Sequence, residues 1–350
     1  MSSSDSDTDL SSRLSQATFD SPTTSIESLD TLAGSSGIGS AYLVPVDPAS
    51  PQDTQSKQHP LDKYIVHGTV RSRHNRKRVK PVTKFHNAVE NLRLFECNLL
   101  DDLNWDRAVS DCTYVIHVAS PFPDSQPGEP SSVVIPAVEG TKRVLDACKR
   151  AGTVKRVVLT SSIAAISGGK QRGDYHYTEG EWSSQADCDP YCLSKVLAEK
   201  AAWETAASAN FELVALNPTM CLGPVLVGEC TSMLLNKFLA QRHCSNNPRR
   251  FSDQGYKISI RDMPDWALTI ASKINKSAKF VSSSVGKIIT YDTKNMHEIL
   301  GIQGRDVRAA VIDMCYSMIE LKLASKKDKY VSNVCYLDDT ELSFENVVQF

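Results

Sequence analysis

Arg156-Val157-Val158-Leu159-Thr160-Ser161-Ser162 is the stretch on which the fold of this chain turns. Val157, Val158 and Thr160 are β-branched, and the apolar run does not alternate, which marks a short strand covered on both faces. Before it, residues 133–150 read as a helix: Val134, Val138, Thr141, Leu145 and Cys148 recur at steps of four and three, and Gly152 supplies the stop. After it, residues 190–207 are rich in Ala, Leu, Lys and Glu, which are good helix formers. Runs of the same strand type occur at 64–70, 92–97, 114–118 and 211–216. Strands and helices alternating on this scale predict an α/β fold built on a doubly wound parallel sheet with right-handed crossovers.

Outside this region the pattern changes. Ser, Asp and Thr make up 19 of residues 1–30, with no apolar period, so these are expected to be a disordered tail. Residues 31–225 carry the nucleotide-binding pattern. Residues 226–325 mix short helices and turns, expected as a smaller C-terminal substrate lobe over the carboxyl ends of the strands. Residues 326–350 open on charged Lys326 to Lys329 and have no clear partner in that scheme.

Composition excludes several classes. A net charge of −2 argues against a nucleic-acid or membrane-surface partner, which would require a basic excess. No run approaches the roughly 18 apolar residues of a membrane span, and residues 1–7 have no signal-like character, so a cytoplasmic location is the expectation. The ten cysteines are scattered; the closest pair, Cys188 and Cys192, lacks a second pair or a His cluster. Reduced structural cysteines and no metal are therefore expected.

The chemistry sits at Tyr191 and Lys195. Four apart on a helix, they share one face, about 6 Å apart along the axis. A phenol titrates near pH 10, and a neighbouring ammonium favours its ionised form, bringing it closer to working range. Alone, the pair is also what a solvated helix face shows by chance. Its context is more specific, because Ser162 stands at the carboxyl end of strand 156–160, where open α/β sheets bind ligands. A hydroxyl there can meet both a substrate carbonyl and the Tyr191 hydroxyl, although a turn or cap hydroxyl would look the same.

Residues 154–166, 177–183, Pro190-Tyr191-Cys192-Leu193-Ser194-Lys195 continuing to Trp203, and 216–224 together resemble the dihydroflavonol reductase and cinnamoyl-CoA reductase branch of the extended short-chain dehydrogenases/reductases, in the NAD-dependent epimerase/dehydratase superfamily. The likeness covers roughly 64–226 and resumes from Gly255 to Glu320. It implies a Rossmann-like domain and an oxidoreductase acting on carbonyl or CH–OH groups of a small molecule. By that resemblance Ser162 orients the carbonyl, Tyr191 donates the proton, and Lys195 holds the nicotinamide ribose while assisting Tyr191.

The cofactor is read from the basic cluster Arg71, Arg73, Arg76, Lys77 and Arg78, placed where a 2′-phosphate needs positive charge and where an NAD enzyme uses an acid. A solvated basic loop is the plainer alternative. The resemblance assigns 2′-phosphate binding to Arg71 and Arg78, hence NADP rather than NAD. It also places Val118, Ala119 and Ser120 along the cofactor and Pro218 and Thr219 beside the nicotinamide.

Three features depart from the family pattern. Gly34, Gly37 and Gly39 form G-x-x-G-x-G, one residue shorter than the usual pyrophosphate turn, between a polar stretch and a proline-rich one (Pro45, Pro48, Pro51, Pro60) that forbids a regular helix. Asn98, beside Leu99, replaces the third-strand acid expected at the adenine. The segment between Pro224 and Gly255 is short, which alters the substrate lobe. Two function classes follow: an NADP-dependent carbonyl reductase, or a non-catalytic Rossmann-like relative with weakened cofactor binding that acts as an interaction module. A sterol dehydrogenase or sugar-nucleotide epimerase fits the local motifs less well. Substrate identity and oligomeric state are not legible in the residues.

Overall fold

Residues Tyr64–Val70 (β2) are buried along nearly their whole length, as a central strand requires. The computed structural model describes residues 40–45, 64–121, 129–169, 174–219, 221, 223–225, 253–255, 288–302, 304 and 306–332. The expected tail 1–30 lies outside them, as do Gly34, Gly37 and Gly39. With Ser40–Pro45 (β1), Leu92–Glu96 (β3), Tyr114–His117 (β4), Arg156–Thr160 (β5) and Glu212–Leu216 (β7), β2 forms a six-stranded sheet in the order β3-β2-β1-β4-β5-β7. Tyr175–Tyr177 (β6) and Ile289–Tyr291 (β8) pair separately, in parallel.

This is the expected doubly wound sheet with one correction. β2, β3, β4, β5 and β7 all run the same way, but β1 runs antiparallel to both its neighbours. Ser40 pairs with Thr69 and Pro45 with Tyr64, so β1 enters the sheet at the edge where the others end. The sequence explains the reversal. The stretch before Gly34 is too polar for a central strand, whereas Ala41-Tyr42-Leu43-Val44 after Gly39 is apolar and ends at a proline. The central position is thus filled by the apolar residues following the glycines, and those residues form a strand where the family pattern puts a helix.

Alternation across the sheet fills two cores. Val115, Val157, Leu159 and Leu213 point to one face and pack with Trp105, Val144, Leu145 and Cys148. Ile116, Val158 and Leu216 point to the other, with Tyr64, Val66 and Ala88. Arg76–Val82 (α1), Ala88–Asn91 (α2) and Trp105–Val109 (α3) connect the early strands. The long helix Ser131–Ala151 (α4) ends at Gly152, whose φ of 69° is the left-handed stop the sequence predicted. Its buried face includes Val133, Ala137, Gly140, Thr141, Val144 and Cys148. The expected stripe was therefore placed about one residue too far along at its start: Val134 and Val138 are only half-buried. Gly140 faces Leu99 so closely that an added Cβ would stand 2.8 Å from its side chain.

Beyond Val225, Lys294–Glu298 (α7) and Val307–Glu320 (α8) are described. Val225 packs against Met314 and Met318 of α8, and its N–H donates to Ser317 Oγ at 2.8 Å. Of the segment 326–350, residues up to 332 are described. Tyr330 packs on Tyr316 and donates its hydroxyl hydrogen bond to Glu320 at 2.9 Å. No helix among the described residues is long and apolar enough to cross a membrane.

Candidate active site

Helix Pro190–Ala206 (α6) begins with a designed start. Pro190 occupies its first turn, and the Asp189 carboxylate accepts from the Cys192 N–H at 2.8 Å. This fixes the phase of the helix and puts Tyr191, Lys195 and Glu199 on one side, toward the carboxyl ends of β4, β5 and β7. Because five strands share a direction, their ends bring Arg71, Asn98, Val118 to Ser120, Ser162 and Asn217 to Thr219 to one edge. That edge is where the sequence placed the ligand.

Ser162 stands beside Tyr191, near enough for its hydroxyl to act on the phenol. Ser162 Oγ accepts from the Ala164 N–H at 3.2 Å, so the turn that opens Ala164–Ser167 (α5) orients it. Lys195 is only 8% exposed and donates to Ser120 Oγ at 3.0 Å; its ammonium lies 5.6 Å from the Tyr191 ring centroid. Burial pushes Lys195 down to about 8, with Glu199 opposing the fall. Burial raises Tyr191, and the neighbouring Ser162 hydroxyl works against the rise. The sequence expectation that a neighbouring ammonium would bring the phenol closer to working range is outweighed here: desolvation dominates, and Tyr191 is a neutral phenol that can donate a proton. His117, fully buried at the end of β4, is pushed down to about 3 by burial and by the Lys195 charge, so it is neutral beneath the site.

The remaining expected positions fall less evenly. Arg71 is exposed just past β2, and Arg78 lies on α1 with its side chain outside the description. Asn98 accepts from the Leu100 N–H and, through its carbonyl, from Trp105 Nε1 at 3.1 Å each, so its side chain shapes the turn after β3. The Leu99 carbonyl accepts from Arg143, and the Pro218 carbonyl accepts from the Ile163 N–H at 3.0 Å. Val118 and Ala119 are half-buried and Thr219 is exposed. No group of three metal-ligating side chains occurs among the described residues.

Sequence reading missed Glu199 and Asn217. Glu199 is 6% exposed and accepts from Ser161 Oγ at 2.5 Å and from Asn217 Nδ2 at 2.8 Å. A signal was available, since a glutamate four residues after Lys195 continues the stripe begun by Tyr191. Gly168 matters too: a Cβ there would stand 2.0 Å from Cys192 Sγ and 2.6 Å from the Ala164 carbonyl. Gly168→Ala is expected to destabilise the fold by about 2 kcal/mol in urea unfolding. Adding Cys192→Ala should recover part of that loss, and a purely additive double variant would contradict the contact.

A family model described as NAD dependent epimerase/dehydratase matches residues 56–258. The chain belongs to that family. Among curated members it is 40% identical over 169 residues to cinnamoyl-CoA reductase CAD2 of Medicago truncatula, covering 47% of this chain and 52% of the relative. It is 35% identical over 205 residues to tetraketide alpha-pyrone reductase 1 of Arabidopsis thaliana, covering 56% and 58%. The chain spans about half the length of the curated relatives it matches first. The expected likeness to the dihydroflavonol and cinnamoyl-CoA reductase branch of the family is thus borne out. Vestitone reductase from alfalfa superposes with a TM-score of 0.51 at 20% identity, over 73% of this chain and 90% of that one. Yeast methylglyoxal/isovaleraldehyde reductase Gre2, solved with NADPH, gives 0.50 at 20%, over 73% and 91%. These two share the family's fold.

Proposed function

We propose that this chain is an NADPH-dependent reductase of a small carbonyl compound. The observation that carries the reading is the assembly of Ser162, Tyr191 and Lys195 at the carboxyl edge, with the Lys195 ammonium buried, bonded to Ser120 Oγ at 3.0 Å and 5.6 Å from the Tyr191 ring centroid. The relatives named above as reductases support it, as does Gre2, whose structure contains NADPH.

The residues present fit a dinucleotide phosphate in two respects. Arg71 is exposed just past the end of β2, available to a 2′-phosphate. The Lys195 ammonium is held at the end of β4, where its bond to Ser120 marks the position of a hydroxyl partner. Bound NADPH would supply the hydride. Ser162 and Tyr191 together bind the carbonyl oxygen, and Tyr191 gives its hydroxyl proton to that oxygen as negative charge develops there. The Lys195 charge stabilises the phenolate left behind.

A second reading is favoured by the reversed β1: a family member that has kept the fold and acts as an interaction module. Thermal unfolding with and without dinucleotide separates the two. A Kd of about 10 µM would make 1 mM NADPH worth about 2.7 kcal/mol of stability. NADPH is expected to raise Tm more than NADH, with Arg71→Ala narrowing the difference. No shift with either dinucleotide would overturn the reductase reading in favour of the second.

A further inference from the structure

Glu199 has no part in proton donation or cofactor contact as described above, yet it is a carboxylate buried to within 6% of complete enclosure. Carboxylates are seldom buried unless their partners hold them there. Its partners come from three elements. Ser161, just past β5, donates its hydroxyl at 2.5 Å, and Asn217, just past β7, donates Nδ2 at 2.8 Å to the same oxygen. Trp203 of α6 donates Nε1 to the other oxygen at 3.4 Å. The same Asn217 Nδ2 also donates to the Ser162 carbonyl at 3.2 Å, and the Ser161 N–H donates to the Leu216 carbonyl at 2.8 Å. The Ser162 backbone is thereby held by the group that Glu199 grips.

We propose that Glu199 is a positioning residue of this site, tying the Ser161–Ser162 turn and the Asn217 turn to α6 one helical turn beyond Lys195, so that Ser162, Tyr191 and Lys195 keep a common frame. This rests on the reductase reading only for its effect on turnover. Two hydrogen bonds from different strand ends meet on a single oxygen, and that oxygen belongs to the helix bearing Tyr191 and Lys195. Separation of the strand ends from the helix would pull Ser162 away from the Tyr191 hydroxyl. The negative charge also faces Lys195 and favours its protonated form. The other groups facing Lys195 are Ser120 and neutral His117 from the end of β4, and Tyr191 from α6.

Two measurements on the full chain test this. In competitive labelling with acetic anhydride followed by peptide mass spectrometry, Glu199→Gln is expected to lower the pH of half-reaction of Lys195 by about one unit, since an opposite charge at close range is removed. Glu199→Asp, which keeps the charge, should move it less in the same direction, and serves if the glutamine variant does not fold. In turnover with NADPH and an aldehyde series, Glu199→Gln is expected to lose about tenfold in kcat, with KM and the NADPH Kd within about twofold, and Glu199→Asp should recover part of the loss. A wild-type chain that reduces no carbonyl would end the reductase reading and leave the labelling result to decide on Glu199. An unmoved half-reaction pH in a folded variant would overturn the proposal.

Discussion

Tyr191→Phe is expected to lower kcat for carbonyl reduction by roughly 10³-fold, within the range of a positioned general acid. The variant removes one oxygen and nothing else from a helix start fixed by Asp189 and Pro190, so α6 should keep its place. NADPH affinity should stay within about threefold, because Lys195 and Arg71 are untouched. The direction of the Tyr191 shift adds a sharper expectation. Burial holds the phenol in its protonated form. The donor is therefore ready for reduction across the neutral range, whereas alcohol oxidation needs the phenolate. The ratio of oxidation to reduction should rise steadily with pH in the wild type. Retained turnover in Tyr191→Phe, or a ratio flat in pH, would sink the assignment of Tyr191 as proton donor.

How much of this was legible beforehand differs by element. The strands 64–70 and 156–160 were placed to the residue, because an apolar run covered on both faces has no competing reading at that length. Ser162, Tyr191 and Lys195 were legible because helical spacing and a strand end determine where they must lie. β1 was not. Its residues are apolar but few, and the glycines before it pointed to a strand ahead of the turn. Only competition for the central position, which is a tertiary effect, decides that the chain enters the sheet after them and in reverse. Glu199 was hidden for a related reason. A glutamate on an amphipathic helix reads as solvated until the strand ends that enclose it are known. The sign of the Tyr191 shift was lost likewise, since burial cannot be read from spacing.

Lys195→Met is expected to stabilise the protein at pH 7 by about 2 kcal/mol while lowering kcat by at least roughly 10²-fold, the usual cost of losing a preorganised charged donor. Lys195 is buried and donates to the Ser120 hydroxyl, so its ammonium has lost most of its water. The fall from 10.5 to about 8 corresponds to roughly 3 kcal/mol held against the charged form. Part of that is offset in the variant, because Glu199 loses the facing charge. The pH dependence follows from the sign. Between about 8 and 10.5 the unfolded chain keeps the Lys195 proton while the folded chain has released it, so wild-type stability should rise with pH through that window. Below pH 8 both states carry the proton and the folded one bears the full penalty. The advantage of Lys195→Met should therefore be largest below pH 8 and close as pH approaches 10.5. Urea unfolding of both proteins at pH 7, 8, 9 and 10 reads this directly. A gap that is constant in pH would mean that methionine stabilises by packing alone. A less stable variant at pH 7 would mean that the site holds its ammonium without strain, in contradiction to the burial that surrounds it.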